Sequence, residues 1–195
     1  MSSRRNGDLV ALEAKPLLKQ LGYRKKGWMW IHEGESLTRL FTVEFQRSLP
    51  MTVRRFKVQL DVWSLPMCNV VNRRTDGYFI NSGFPSVSAA SLAGLECDSW
   101  SFDDDEPVSA ERRDSYLRTV EVGVEWLSSF STLEDIFDWH VGAQSWMYAA
   151  VAARALGRSD AGYWLQKDYD RKKASEENRR LYQLRAEHWG IPDPT

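Results

Sequence analysis

The 195-residue sequence predicts an α+β fold with an N-terminal helix, an antiparallel β-meander and a C-terminal helical segment. Three observations predict it. Leucines near the start recur at helical spacing. Between positions 28 and 62 the apolar residues fall at every second place. From Ser109 the helical period returns. Elements in the order helix, strands, helices do not make the repeated βαβ pattern of a parallel sheet.

Leu9, Leu12, Leu17, Leu18 and Leu21 place a helix over 4–21, which Pro16 kinks or restarts and Gly22 ends. Tyr23 to Gly27 reads as a basic turn. Trp28, Trp30 and His32 begin the alternation. Leu37, Arg39, Phe41, Val43 and Phe45 continue it, and Phe56, Val58, Leu60 and Val62 close it. Glu33–Ser36 and Leu49–Thr52 read as the turns between strands. One sheet face is apolar and needs a helix over it. The other carries Glu44, Gln46, Arg55, Lys57, Gln59, Asp61 and Trp63. Val70-Val71 and Tyr78-Phe79-Ile80 offer further strands, and Asn81–Leu95 reads as loop. Leu117, Val120, Val124 and Leu127 stripe a helix. Ser131-Thr132-Leu133-Glu134 reads as a capping box with Glu134 at the third helical position. An alanine-rich helix spans Gln144–Leu156 and stops at Gly157. Ser159 or Asp160 starts another through Trp164 and Leu165, continuing toward Leu184. Residues 1–107 thus hold a helix plus the sheet. Residues 108–195 form a helical part packed on it, within one continuous domain.

The formal net charge of -1 gives no global pull toward nucleic acid or an anionic membrane. No apolar run approaches the roughly 20 residues of a membrane helix. The opening residues lack the apolar core of a signal peptide. Two cysteines, Cys68 and Cys97, make no disulfide framework and read as reduced thiols of a cytoplasmic protein. Nine tryptophans mean a dense core or interface anchors, the core being the usual fate of large aromatics.

The sequence holds no Walker loop, no dinucleotide fingerprint and no nucleophile elbow. His32, His140 and His188 lie far apart. Asp135, Asp138 and His140 cannot share one helix face, so no metal site is expected. His140 reads as a helix-end residue favoured by the C-terminal dipole. Cys68 stands beside apolar residues and reads as a core thiol. These readings point to a protein that is not an enzyme and takes no cofactor; the rival reading is a nucleic-acid-associated protein or an enzyme whose site the sequence does not display. Residues 1–30 hold seven basic and two acidic side chains, and Arg24, Lys25 and Lys26 stand next to Trp28 and Trp30. That pairing could track a nucleic-acid backbone, but the balanced charge of the chain argues against a nucleic-acid partner. The other surface signal is acidic: residues 96–106 carry six carboxylates and no basic residue. An exposed Trp100 beside Asp103, Asp104, Asp105 and Glu106 would anchor a basic protein. The alternative is a solvated loop with Trp100 tucked into the core. The sheet face around Gln46, Gln59 and Trp63 is the second candidate.

Lys15-Pro16-Leu17-Leu18-Lys19-Gln20-Leu21-Gly22-Tyr23-Arg24-Lys25-Lys26-Gly27, with Phe45-Gln46-Arg47-Ser48 and the strand Arg55–Val62, resembles the bacterial domain of unknown function 4304 family. Ala149–Gly157 followed by Tyr163-Trp164-Leu165 is similar to the helical hairpin ending many members. The resemblance covers about residues 10–63 well and carries no active site over. It implies a small domain of the kind that stands beside polymorphic toxins. The expected role is an immunity protein that binds a cognate toxin and covers its active site.

Overall fold

A computed structural model describes residues 6–46, 52–71, 85–172 and 175–194. The order of elements bears out the α+β reading: helix, antiparallel sheet, helices. Contacts divide the chain into two compact units. Unit 1 is Met1–Val62 with Ser86–Ser129, and unit 2 is Trp63–Pro85 with Phe130–Thr195.

Unit 1 opens with α1 (Asn6–Ala11), a 3-10 turn over Leu12–Ala14, and α2 (Lys15–Gln20). The predicted helix is therefore real but stepped. Pro16 sits in the first turn of α2, where its missing N–H costs nothing. Gly22 follows at φ +83°, a left-handed conformation that glycine adopts without strain. The expected basic turn is instead strand β1 (Arg24–Lys26), paired antiparallel with β2 (Met29–Glu33). The tight turn at Gly27-Trp28 allows three residues to reach back and pair. β3 (Leu37–Gln46) follows β2 through a turn in which the Gly34 N–H donates to the Leu37 carbonyl at 2.8 Å.

β4 (Val53–Ser64) is the spine of the sheet. Phe56, Val58, Leu60 and Val62 are all fully buried, and Arg55 and Trp63 on the other face are exposed. This is the alternation the sequence shows. β3 lies on one side of β4. On the other side β5 (Ser86–Ser88) pairs with Gln59–Asp61 and β6 (Trp100–Asp103) with Val53–Phe56, both antiparallel. The expected loop over Asn81–Leu95 is thus corrected for its described part: β5 runs straight into α4 (Ala89–Leu92). Tyr78–Ile80 and most of the Leu49–Thr52 turn lie outside the described residues.

α5 (Ala110–Ser128) lays its buried stripe of Tyr116, Val120, Val124 and Leu127 on unit 1. Gly123 allows the close approach, since a Cβ there would stand 3.0 Å from Leu60 Cδ1.

In unit 2, Leu65–Val71 forms α3, so the strand expected at Val70-Val71 is corrected. A Ser64 hydroxyl accepting the Met67 N–H at 3.4 Å and Pro66 in the first turn favour the helix over the β-branched pair. α6 (Leu133–Gly142) starts with a capping box one residue later than expected. Thr132 caps it, and Asp135 accepts the Thr132 N–H at 2.7 Å in the place assigned to Glu134. Burial pushes the Asp135 carboxyl up, but the bonds from Ser131 and Thr132 hold it below its ordinary value. α7 (Trp146–Ala155), α8 (Ala161–Lys172) and α9 (Glu176–Trp189) complete the unit. Ser175 caps α9, which ends the continuous helix anticipated toward Leu184.

Among the described residues no helix is long and apolar enough to cross a membrane.

Candidate partner-binding surface

The acidic segment lies on unit 1. It begins in β6, whose Trp100 and Phe102 point inward on the period-two pattern of a strand. Phe102 stacks on Phe56 at 5.9 Å between centroids and 15° between planes. Trp100 stacks on Phe56 at 5.8 Å and meets Tyr116 edge-on at 5.5 Å. Only 5% of Trp100 is exposed. The expected exposed anchor is therefore corrected: strand alternation turns Trp100 into the core and the carboxylates outward. Tyr116 donates its hydroxyl to the Ala11 carbonyl at 3.0 Å, and burial, with the Glu13 charge adding, drives that hydroxyl far above its ordinary pKa.

The four acids form the turn that leaves β6. Asp103 is half-buried, and Asp104, Asp105 and Glu106 are exposed. Asn6 fixes this turn. Its backbone N–H donates to Asp104 Oδ1 at 2.7 Å, and its side-chain amide donates to the carbonyls of Asp103 at 2.8 Å and Glu106 at 3.0 Å. Asp103 Oδ1 accepts the Asp105 N–H at 3.1 Å, and the Asp104 N–H donates to the Thr52 carbonyl at 3.1 Å. The turn is thus held by Asn6, by the Thr52 carbonyl and by its own Asp103 carboxylate, with the Asp105 and Glu106 side chains left to solvent. Beside it runs a shallow groove of roughly 490 Å³ between β6 and the start of α5. Asp103, Glu106 and Glu111 rim it, and Phe102, Pro107 and Val108 give it apolar walls. Arg112 also lines it but donates to the Ser101 carbonyl at 3.0 Å.

The second candidate divides. Gln59 donates to Ser86 Oγ at 2.8 Å, and Ser86 donates to Asp61 Oδ1 at 2.6 Å, so this patch of sheet is internally bonded. Burial raises the Asp61 carboxyl, with Glu44 adding to it against the Ser86 bond. Gln46 is half-buried. Trp63, 47% exposed, belongs to unit 2.

The basic candidate is partly committed to its own hairpin. Arg24 pairs with Glu33, Lys25 Nζ lies 4.8 Å from the Trp28 ring centroid, and Trp30 is buried. Among the described residues no group of three His, Cys, Asp or Glu could hold a metal. His140, in the last turn of α6 as expected, is buried between the rings of Trp139 and Tyr148. Cys68 is half-buried, and its burial raises the thiol pKa. Cys97 is exposed, and neither cysteine is in a disulfide.

Two features of unit 2 were not foreseen. Asp168 is 1% exposed and binds Arg171 at 2.9 Å, Lys172 at 2.8 Å and the Tyr182 hydroxyl. Burial pushes this carboxyl up, but the Lys172 and Tyr182 bonds and the two cations together hold it low. The Tyr182 hydroxyl, buried against that charge, is raised. The second feature is a half-exposed aromatic cluster. Trp146 stacks on Trp164 at 5.7 Å, and Lys167 Nζ stands 3.9 Å from the Trp146 centroid. The i, i+3 spacing of Trp164 and Lys167 was a readable cue, but the partner Trp146 comes from another helix.

No family model, no curated protein and no solved structure matches the chain.

Proposed function

We propose that this protein works by binding and covering a basic protein partner, as an immunity protein covers a cognate toxin. One observation carries the proposal: exposed carboxylates stand on a turn that Asn6 and Thr52 already hold rigid. Preorganised charge spends no binding energy on ordering the loop. Asp103, Asp105 and Glu106 supply the attraction, and the apolar groove wall beside them supplies contact area. Trp100 acts from below, by supporting the strand that carries the turn. Occlusion needs no reactive group, so the contact residues need only be exposed and complementary.

The test is a double charge reversal, Asp105→Lys and Glu106→Lys, with Asp103 and Asp104 kept because their carboxylates hold the turn. Co-purification with the product of the adjacent gene is the readout, and that product is expected to carry a toxin domain. The variant is expected to bind at least about tenfold more weakly and to lose salt sensitivity. Full-strength binding by a folded variant would refute this surface. Failure of the neighbouring protein to bind the wild-type chain would refute the immunity role itself.

A further inference from the structure

We propose that the aromatic cluster of unit 2 is a binding site for a small quaternary ammonium ion such as choline, with Lys167 as its occupant from within the chain. Lys167 Nζ stands 3.9 Å from the ring centroid of Trp146, 5.2 Å from that of Trp164 and 5.8 Å from that of Tyr163. All three lie within the roughly 6 Å over which a ring attracts a cation. The two indoles are stacked with their centroids 5.7 Å apart. An ammonium on the outer face of Trp146 would stand much farther from Trp164 than it does. The Lys167 ammonium and the Trp164 ring therefore share one side of Trp146, and the cation is bordered by both indoles. Three rings around one positive charge make an aromatic cage.

The walls are set before a ligand arrives. Trp164 donates its indole N–H to Asp160 at 3.1 Å, and Phe137 packs edge-on against the same ring at 5.7 Å. Walls already in place spend little binding energy on ordering. The walls also select the ligand. Aromatic faces attract positive charge but are weak hydrogen-bond acceptors. A primary ammonium carries three N–H donors. Among the described residues, those of Lys167 meet rings but neither a carboxylate nor a hydrogen-bond acceptor. They are left to water, which opposes a close fit to the rings. A quaternary ammonium has no N–H to satisfy and loses less on entering. Access is open: Trp146, Trp164 and Lys167 are half-buried, and Tyr163 is 59% exposed. Ring contact alone holds Lys167 there, a weak interaction at a half-exposed site that a competing cation can replace. The site does not depend on the acidic turn of unit 1.

The experiment titrates the full-length ¹⁵N-labelled chain with choline chloride and follows its assigned indole N–H resonances. The result expected is a saturable shift of the Trp146 and Trp164 signals, with a dissociation constant on the order of millimolar for so small a ligand. The neutral isostere 3,3-dimethylbutan-1-ol has the same shape without the charge and should bind at least about tenfold more weakly. Lys167→Ala removes the internal occupant and should bind choline about two- to fivefold more tightly than the wild type. Equal binding of choline and its isostere would overturn the proposal, as would no saturable shift in either protein. An unchanged or weaker affinity in a folded Lys167→Ala would also overturn it, since Lys167 would then not fill the site. A trimethyl-lysine peptide or phosphatidylcholine vesicles that bind where free choline does not would overturn it too, in favour of a modified partner chain or a lipid surface.

Discussion

The main aromatic clusters of the two units differ in how deeply they are buried. In unit 1 the rings pack on one another around Phe56, which meets Phe45, Trp100, Phe102 and Tyr116 within 6 Å. In unit 2 the rings of Trp146 and Trp164 are half-exposed and carry a cation, Lys167. Arg158 likewise lies over Phe137 at 4.3 Å while paired to Asp160. The buried polar charge of unit 2 is Asp168, whereas no charged side chain of unit 1 is buried among the described residues. Unit 1 should therefore respond to lost volume, and unit 2 to lost charge.

The largest effect that could break this contrast is Phe56→Ala. Removing the central ring should cost about 3–5 kcal/mol and red-shift the emission of Trp100 as water reaches it. Urea unfolding followed by fluorescence measures both. A cost under about 1 kcal/mol would mean the ring cluster is not the core of unit 1.

Asp168→Ala comes next, with an expected cost of about 1–3 kcal/mol because it leaves the buried Tyr182 hydroxyl without its acceptor. The pH dependence sharpens the point. The folded Asp168 carboxyl lies below its ordinary value, so its contribution is full above the unfolded pKa of about 3.9. It is lost as the pH falls through the lower, folded value. Wild-type stability should drop from pH 4 downward, and Asp168→Ala should flatten that limb. A parallel drop in both proteins would assign acid sensitivity elsewhere.

The smallest effect is Lys167→Ala. Losing the ammonium over Trp146 at a half-exposed site should cost about 0.5–1 kcal/mol. A loss as large as that of Asp168→Ala would erase the distinction between a surface ladder and a buried charge.

The sequence was most legible where one periodicity covered a whole element. β3 runs over the expected residues, and the apolar set of β4 is the buried set. It was least legible where a distant partner decides. β1 is a strand because β2 folds back on it, and nothing in Arg24-Lys25-Lys26 itself favours a strand. Val70-Val71 has strand propensity but follows a helix start at Pro66. For the candidate surface, composition located the acidic turn but misjudged Trp100. Sequence fixes which residues neighbour the acids, and strand alternation then sends alternate ones to opposite faces. The Asn6 brace joins residues nearly a hundred positions apart, which no local pattern reveals.

The edge of the sheet at β1 has a consequence of its own. Open strand edges invite pairing with foreign strands and so seed aggregation. Here the edge is three residues long, and all three are exposed cations. A second copy arriving at this edge would face like charge at every position. The same short basic triplet that suggests nucleic acid on paper would disfavour edge-to-edge polymerisation in the fold.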